Sequence, residues 1–578
     1  MNMKQREQRI LFVILGAVLF GVYIFNLEKL RYPSIMLDEI GYWSSAAYWD
    51  NKDWSGVMGT FSSYYSYGYS VILYILMKVA KSPQSLHQLA ILVNVVMILI
   101  SFFIANKVAE RIFPNVKYYI RLSICFLAFF YPSTQYNIHV AWSETYLMFL
   151  FWISVWCIIN IYQKARIFDI ILYSLLLINM YITHQRSLGV LLTGLFLFCI
   201  LAFVKKLRFI KIIVFILLIL TTMYIARVVK SDVQNNVFQN KTIAEEQREE
   251  ITISADANDY GGQIGKIKYI FTLEGFFNLM ISFLGKLYYF GLASFFLGFE
   301  GIYCILHTFY LNIKNKEKLG IRSIIMLYIL LSYLATVMIS AVFMIYPSRL
   351  DTVAYGRYTD WIGIVLIIIG GCQLYISESK DRLKRYLFYS AITVCFTIVF
   401  LMYIAKYEVS GFFASCSPVM MFFKKAFGDN IILTMTAGCI LISVVIVLLM
   451  DIFREKMKTF IVTCLIIGSW CIMTEPGINE LIDIQNKDRV DPVINYIKNN
   501  TEENVYFVYN SDTPFNIYVY TGSIQYFLED RTVNCIESTN VTFDDNSIYI
   551  MAQNCSIPEG YVVKCKTDYY WVIQKGGI

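Results

Sequence analysis

The chain reads as an α-helical polytopic membrane protein of about thirteen transmembrane helices, followed by a small C-terminal extracytoplasmic α/β domain. Three observations predict this. Hydrophobic residues make up 57% of the 578 and charged residues only 16%, with mean hydropathy +0.55, whereas soluble domains carry about 25% charged residues. Apolar stretches of spanning length recur from residue 10 to about residue 474. Beyond that point the composition changes to mixed, turn-punctuated segments.

The elements follow in order. Residues 10–26 form a first span without a small-residue cleavage site, so it reads as retained rather than as a signal peptide. Basic clusters then alternate with apolar stretches. They are Lys4/Arg6/Arg9, Lys107/Arg111/Lys117/Arg121, Lys164/Arg166, Lys205/Lys206/Arg208/Lys211, Lys314/Lys316/Lys318/Arg322, Arg382/Lys384/Arg385 and Arg454/Lys456/Lys458. Placing every cluster in the cytoplasm satisfies the positive-inside rule and puts two spans between successive clusters. The N-terminus is then cytoplasmic and the C-terminus extracytoplasmic. Residues 69–80 are apolar but too short to cross, and read as a re-entrant or interfacial helix of the first outer loop. The expected division is a transmembrane domain over 1–474 and a soluble domain over 475–578. The first includes outer loop 27–85 with its interfacial helices and a long outer loop at 230–288. The second reads as helix (491–499), strand (505–509), helix (514–528), strands near 532–536 and 547–552, and a terminal hairpin over 561–574.

Composition excludes several functions. The net charge of +7 sits in short loops between spans, so nucleic acid is not an expected partner. Thirteen Cys include no CxxC pair, and there are four His, so no metal site is assigned. Cys535, Cys555 and Cys565 permit at most one disulfide among them. Residues 245–250, Glu-Glu-Gln-Arg-Glu-Glu, read as a solvated helix face. Sequons at Asn499, Asn540 and Asn554 are short patterns of high chance frequency.

The chemistry concentrates on the predicted outer face. Asp38 and Glu39 stand just beyond the first span, where an acidic pair is costly and usually functional. His139, Ser143 and Glu144 lie at the second outer loop, His184-Gln185-Arg186 at the third, and Arg349 with Tyr355-Gly356-Arg357-Tyr358 at the fifth. Arginine binds phosphate with fixed bidentate geometry, and a carboxylate can take a hydroxyl proton. Plainer readings stand beside these. Glu144 opens a long apolar segment, where an acid also fits as a helix-dipole cap. Arg349 fits an interface arginine. Tyr64, Tyr65, Tyr67 and Tyr69 fit an interfacial aromatic belt as well as a sugar-stacking platform. His139 and His184 fit satisfied interfacial histidines better than ligands.

These residues resemble the GT-C superfamily of membrane glycosyltransferases, in the group of the protein O-mannosyltransferases and the lipid A aminoarabinose transferase. The resemblance rests on Asp38-Glu39-Ile40-Gly41-Tyr42 in the first outer loop, and on the aromatic run Ser62-Ser63-Tyr64-Tyr65-Ser66-Tyr67-Gly68-Tyr69. It rests further on Pro132 with Ser143-Glu144, and on Gly356-Arg357-Tyr358. It departs from the lipid A branch where Tyr64-Tyr65-Ser66-Tyr67 replaces a proline pair, and His184-Gln185-Arg186-Ser187 matches an Arg-Pro-rich loop only loosely.

The resemblance implies a sugar donor on a polyprenyl phosphate and an envelope glycan, lipid or protein acceptor at a plasma-membrane site. It implies Asp38 as catalytic base with Glu39 supporting it. Arg357, Arg349 and Arg186 become donor-phosphate contacts, and Tyr42, Glu144, Tyr64, Tyr67 and Tyr358 a substrate pocket. No cofactor is certain, and a divalent metal is left open. The competing classes are an O-antigen-type polymerase or ligase, a lipid-linked glycan transporter or flippase, and an inactive envelope scaffold. Polymerases and ligases usually keep their key residues in a late outer loop. A transporter calls for paired broken helices near the bilayer midplane, and no persuasive pair stands in the sequence.

Overall fold

The computed structural model describes residues 3–33, 36–239, 263–317, 319–484, 490–500, 504–510, 512–513 and 515–576. The acidic run at 245–250 lies outside them. Among the described residues, eleven helices are long and apolar enough to cross a membrane, and two shorter apolar helices, Tyr118–Ala128 and Ile167–Thr183, lie among them. The expected helical polytopic class is therefore the observed one, and the protein is a multi-pass integral membrane protein.

Local sequence explains where these helices begin and how they pack. Helix Pro83–Ile112 starts with a capping box, in which the Ser82 hydroxyl accepts from the Ser85 amide and Pro83 occupies the first turn. Helix Phe209–Val237 fully buries only Phe215, Ala226, Val233 and Val237, and much of its apolar surface, including Ile216, Leu217, Leu220 and Ile225, faces outward, as a lipid-facing helix requires. Helix Arg357–Ile376 is the reverse case, buried continuously from Arg357 to Cys372. It packs closely on helix Leu297–Lys314 through glycines: a Cβ at Gly370 would overlap the Leu297 carbonyl, and one at Gly301 the Leu366 carbonyl. This backbone-to-backbone approach fixes the helix that carries Arg357.

The segment after the first span folds as three short helices, Leu37–Trp49, Ser55–Phe61 and Ser70–Met77. The last has eight residues, about 12 Å of helix, well short of the ~30 Å hydrocarbon core. At the other end of the chain, helix Glu455–Ile484 runs past residue 474 before the C-terminal sheet begins.

That sheet has five strands: β1 Asn504–Tyr509, β2 Val533–Glu537, β3 Ser547–Ala552, β4 Tyr561–Lys566 and β5 Tyr570–Lys575. Their order is β2-β1-β3-β5-β4, parallel among the first three and antiparallel thereafter. Helix Phe515–Leu528 makes the crossover from β1 to β2. The unit is docked on the first-loop helices. Phe61 stacks on Tyr518 with ring centroids 4.1 Å apart, and Trp43 meets Tyr526 edge-on at 5.3 Å. The Trp54 indole donates to the Glu529 carbonyl at 2.8 Å, and the Tyr526 hydroxyl to the Pro83 carbonyl at 2.9 Å. Cys535, Cys555 and Cys565 are all free thiols.

Candidate active site

Three helix N-termini converge. Helix Leu37–Trp49 brings Asp38 in its first turn, helix Ser143–Lys164 brings Glu144 in its first turn, and helix Arg357–Ile376 begins with Arg357 itself. The Arg357 guanidinium joins the two acids, donating from Nη2 to Asp38 Oδ2 and from Nε to Glu144 Oε1, each at 2.7 Å. Its Cζ lies 3.7 Å from the centre of the Trp142 ring, an aromatic back wall. The Arg357 and Glu144 side chains are 3% and 2% exposed, but Asp38 keeps 22%. Asp38 is thus the member of the trio that a substrate can reach.

Asp38 opens into a cavity of about 110 Å³ lined by Tyr42, Tyr64, Tyr65, Ser66, His184, Gln185, Arg186 and Tyr358. The spacing of the acidic motif now has a packing reason. Tyr65 lies over Gly41, where a Cβ would overlap its ring, so glycine between Asp38 and Tyr42 lets the aromatic run close over the acid. Burial and the Glu144 carboxylate push the Tyr42 hydroxyl far above its ordinary pKa, and burial with the Asp38 charge does the same to Tyr65. Both stay neutral hydrogen-bond donors. Arg186 stacks on Tyr358, with Cζ 3.1 Å from the ring centre, and its Nη1 meets His184 Nε2 at 3.0 Å. Burial and the neighbouring Arg186 and Arg357 hold His184 well below its ordinary pKa, so its ring is neutral.

A second, larger cavity of about 430 Å³ adjoins the first, sharing Tyr64, Ser66 and Gln185. Tyr67, Tyr181, Met223, Arg227 and Lys230 line it further along. Tyr67 belongs to this groove, its hydroxyl donating to the Ala226 carbonyl at 3.0 Å.

Other candidates sit apart from both cavities. Glu39 is fully buried and turned away: its Oε1 meets His87 Nε2 at 3.1 Å and accepts from the Ala141 amide at 2.7 Å. It braces the helix that carries Asp38 and the turn that carries Trp142. Glu144 lies behind Arg357 and does not line the cavity. Arg349 pairs with buried Asp351, Nε to Oδ1 at 2.8 Å, and stacks on Phe413. The pair belongs to a brace in which the segment 411–417, which turns at 414–416, lies along 350–357. The Gly411 carbonyl accepts from the Leu350 amide at 2.9 Å, and the Cys416 carbonyl accepts from the Gly356 and Arg357 amides at 3.0 and 3.1 Å. That carbonyl caps the Arg357 helix, whose N-cap side chain is the bare Gly356.

Sequence reading did not single out His87, Trp142 or Cys416. The first two act across 48 and 215 positions, and Cys416 acts through its backbone, which carries no side-chain signal. Among the described residues, no group of three or more His, Cys, Asp and Glu could hold a metal ion. Asp38 and Glu144 are spent on Arg357, and Glu39 on His87 and the Ala141 amide.

No protein-family model matches the chain, and no curated protein sequence matches it. Solved structures do. ArnT from Cupriavidus metallidurans in the apo state aligns over 99% of this chain and 98% of its own, at 11% identity and TM-score 0.50. The fold is GT-C. The same enzyme bound to undecaprenyl phosphate aligns with TM-score 0.49 at 12% identity, covering 98% of this chain and 97% of its own. The apo Archaeoglobus fulgidus oligosaccharyltransferase aligns with TM-score 0.45 at 11% identity, over 91% of this chain and 64% of its own. ArnT is the lipid A aminoarabinose transferase, so the GT-C fold implied by Asp38-Glu39-x-x-Tyr42 is the fold found. At 11% identity the likeness extends to the fold and not to individual side chains.

Proposed function

We propose that the protein is an inverting glycosyltransferase that moves a sugar from a polyprenyl-phosphate carrier to a cell-envelope glycan, lipid or protein acceptor. Its active site and C-terminal sheet face the extracytoplasmic side. The observation that carries this reading is Asp38: a carboxylate held by Arg357, still partly exposed, facing a tyrosine-lined cavity that joins a larger aromatic groove with a basic rim. The GT-C fold supports it.

In this reading the acceptor hydroxyl gives its proton to Asp38. The acceptor oxygen then bonds to the anomeric carbon, and the carbon–oxygen bond to the carrier breaks, its electron pair leaving with the phosphate. Configuration inverts. Arg186, which lines the cavity, and Arg357 beside Asp38 stabilise the charge that gathers on the departing phosphate. The aromatic hydroxyls of Tyr42, Tyr64 and Tyr65 and the Gln185 amide supply neutral partners for sugar hydroxyls. The groove past Tyr67 and Met223 offers apolar wall for the carrier's chain, with Arg227 and Lys230 at its rim.

The test incubates purified protein with a panel of polyprenyl-phosphate sugars and follows release of polyprenyl phosphate. Asp38→Asn should cut turnover at least ~100-fold, as loss of a general base does, with unchanged elution and thermal unfolding. Full activity in that variant overturns the mechanism.

A further inference from the structure

Away from the Asp38 cavity, another cavity of about 290 Å³ lies at the same end of the bundle, beside the segment that caps the Arg357 helix. It is enclosed by the last turns of helix Ser379–Tyr407, the segment 409–412 and the start of helix Ile431–Ile452. Its inner wall is apolar, built from Leu401, Ile404, Val409 and Ile432. Leu433, also in the wall, is 51% exposed, so the cavity opens sideways through the apolar outer surface of the bundle. Leu441 and Leu448 continue the exposed stripe from Leu433 along the same helix. The other end of the cavity is polar. Helix Pro418–Phe427 buries Val419, Met420 and Phe423 and turns Lys424 outward to its mouth, with Nζ 5.4 Å from the centre of the Phe412 ring. Asp429 lines the same mouth, and both side chains are exposed. Among the described residues neither is in an ion pair, with the other or with a third group.

An apolar wall open to lipid, ending in one unspent cation and one unspent anion, has the complement of a zwitterionic lipid. We propose that this cavity binds a membrane phospholipid whose headgroup carries a phosphate and a primary ammonium, as in phosphatidylethanolamine. Lys424 meets the phosphate as a point charge, Asp429 accepts from the ammonium, and an acyl chain follows Leu433 and Leu441 into the bilayer. An anionic headgroup would leave Asp429 without a partner and set it against a like charge. A choline headgroup has no N–H to donate to Asp429. The site also touches the architecture that delivers Arg357. Leu350 and Gly411 both line the cavity, and the Leu350 amide donates to the Gly411 carbonyl at 2.9 Å. That bond is the first rung of the brace that ends with the Cys416 carbonyl on the Gly356 and Arg357 amides. A lipid seated at the mouth covers the rung from water and steadies the brace. Binding here does not depend on the chemistry at Asp38, so the site stands whether or not a sugar is transferred.

The test titrates delipidated full-length protein in detergent with phosphatidylethanolamine, phosphatidylcholine and phosphatidylglycerol of matched chains, and counts retained lipid by native mass spectrometry. Phosphatidylethanolamine should bind ~3-fold or more tightly than either of the others, the scale of one exposed ionic contact. Lys424→Gln and Asp429→Asn should each remove that preference. Both residues are exposed, so both variants should fold as the parent does. Lys425→Gln, on the same helix but outside the cavity lining, should keep the preference. Amide exchange at Leu350 should slow when phosphatidylethanolamine is added to the parent protein and not to the Asp429→Asn variant. Equal binding of phosphatidylcholine, tighter binding of phosphatidylglycerol, or a preference that survives either cavity variant overturns the assignment. Loss of the preference in Lys425→Gln as well reduces it to a general attraction of basic residues for lipid and overturns it too. Unchanged exchange at Leu350 overturns the link to the brace.

Discussion

Glu144 and Asp38 share one guanidinium but differ in what they cost the protein to lose. Glu144 is 2% exposed and bonded to Arg357 Nε, so its removal leaves a buried cation short of a partner. Breaking a buried pair from one side costs about 3–5 kcal/mol. Asp38 is 22% exposed, and water can replace part of what it contributes. Glu144→Leu should therefore lower the thermal unfolding temperature in detergent far more than Asp38→Asn, although Asp38→Asn should lose more turnover. Equal destabilisation by the two would remove the anchoring role given to Glu144. The same logic separates Glu39 from its neighbour: adjacent in sequence, the two carboxylates point into different environments, one sealed against His87 and the other open to the cavity. An acidic pair beside a span is visible in the sequence. Which member faces the cavity is not, because that depends on helix Pro83–Ile112 presenting His87 to one side of the pair.

At the scale of elements, the site is as exact as the helix that delivers Arg357, and that helix is held by two devices. Glycines let it touch helix Leu297–Lys314 backbone to backbone, and the segment 411–417 caps its first turn. Gly370→Ala should destabilise the bundle by ~1–3 kcal/mol, the range for overpacking a close-packed core, read as a lower unfolding temperature. A surface glycine with open space around it, such as Gly320, should accept alanine without penalty in the same measurement. Hydropathy and charge alternation made the long helices legible, and the C-terminal elements fell close to their expected positions, with helix Asp491–Asn499 and strand β3 at the same limits. The braces were hidden. Cys416 caps through a carbonyl every residue possesses, and Arg349, legible as a charged residue, turns to Asp351 rather than to the cavity. A phosphate contact and a structural ion pair look alike in one dimension, since the partner that neutralises the arginine is fixed by tertiary packing.

At the scale of the whole molecule, the proposed orientation puts all seven basic clusters on one side of the membrane and the catalytic cavity on the other. In a cysteine-depleted background, Lys316→Cys should be unreactive to an impermeant thiol reagent in intact cells, and Asn540→Cys on the C-terminal unit should label; the opposite pattern would invert the topology. The C-terminal sheet also has a bearing on how the protein is made. Its helix Phe515–Leu528 packs on the same short helices that present Asp38 and the tyrosine run, through Phe61, Trp43 and Trp54. A ribosome delivers those two regions some 450 residues apart, the earliest outer loop long before its cover. Until residues 515–529 emerge, Phe61, Trp43 and Trp54 lack the Tyr518, Tyr526 and Glu529 partners that they meet in the folded chain. On the proposed reading, the helix that carries Asp38 is thus braced by contacts that only the later segment supplies.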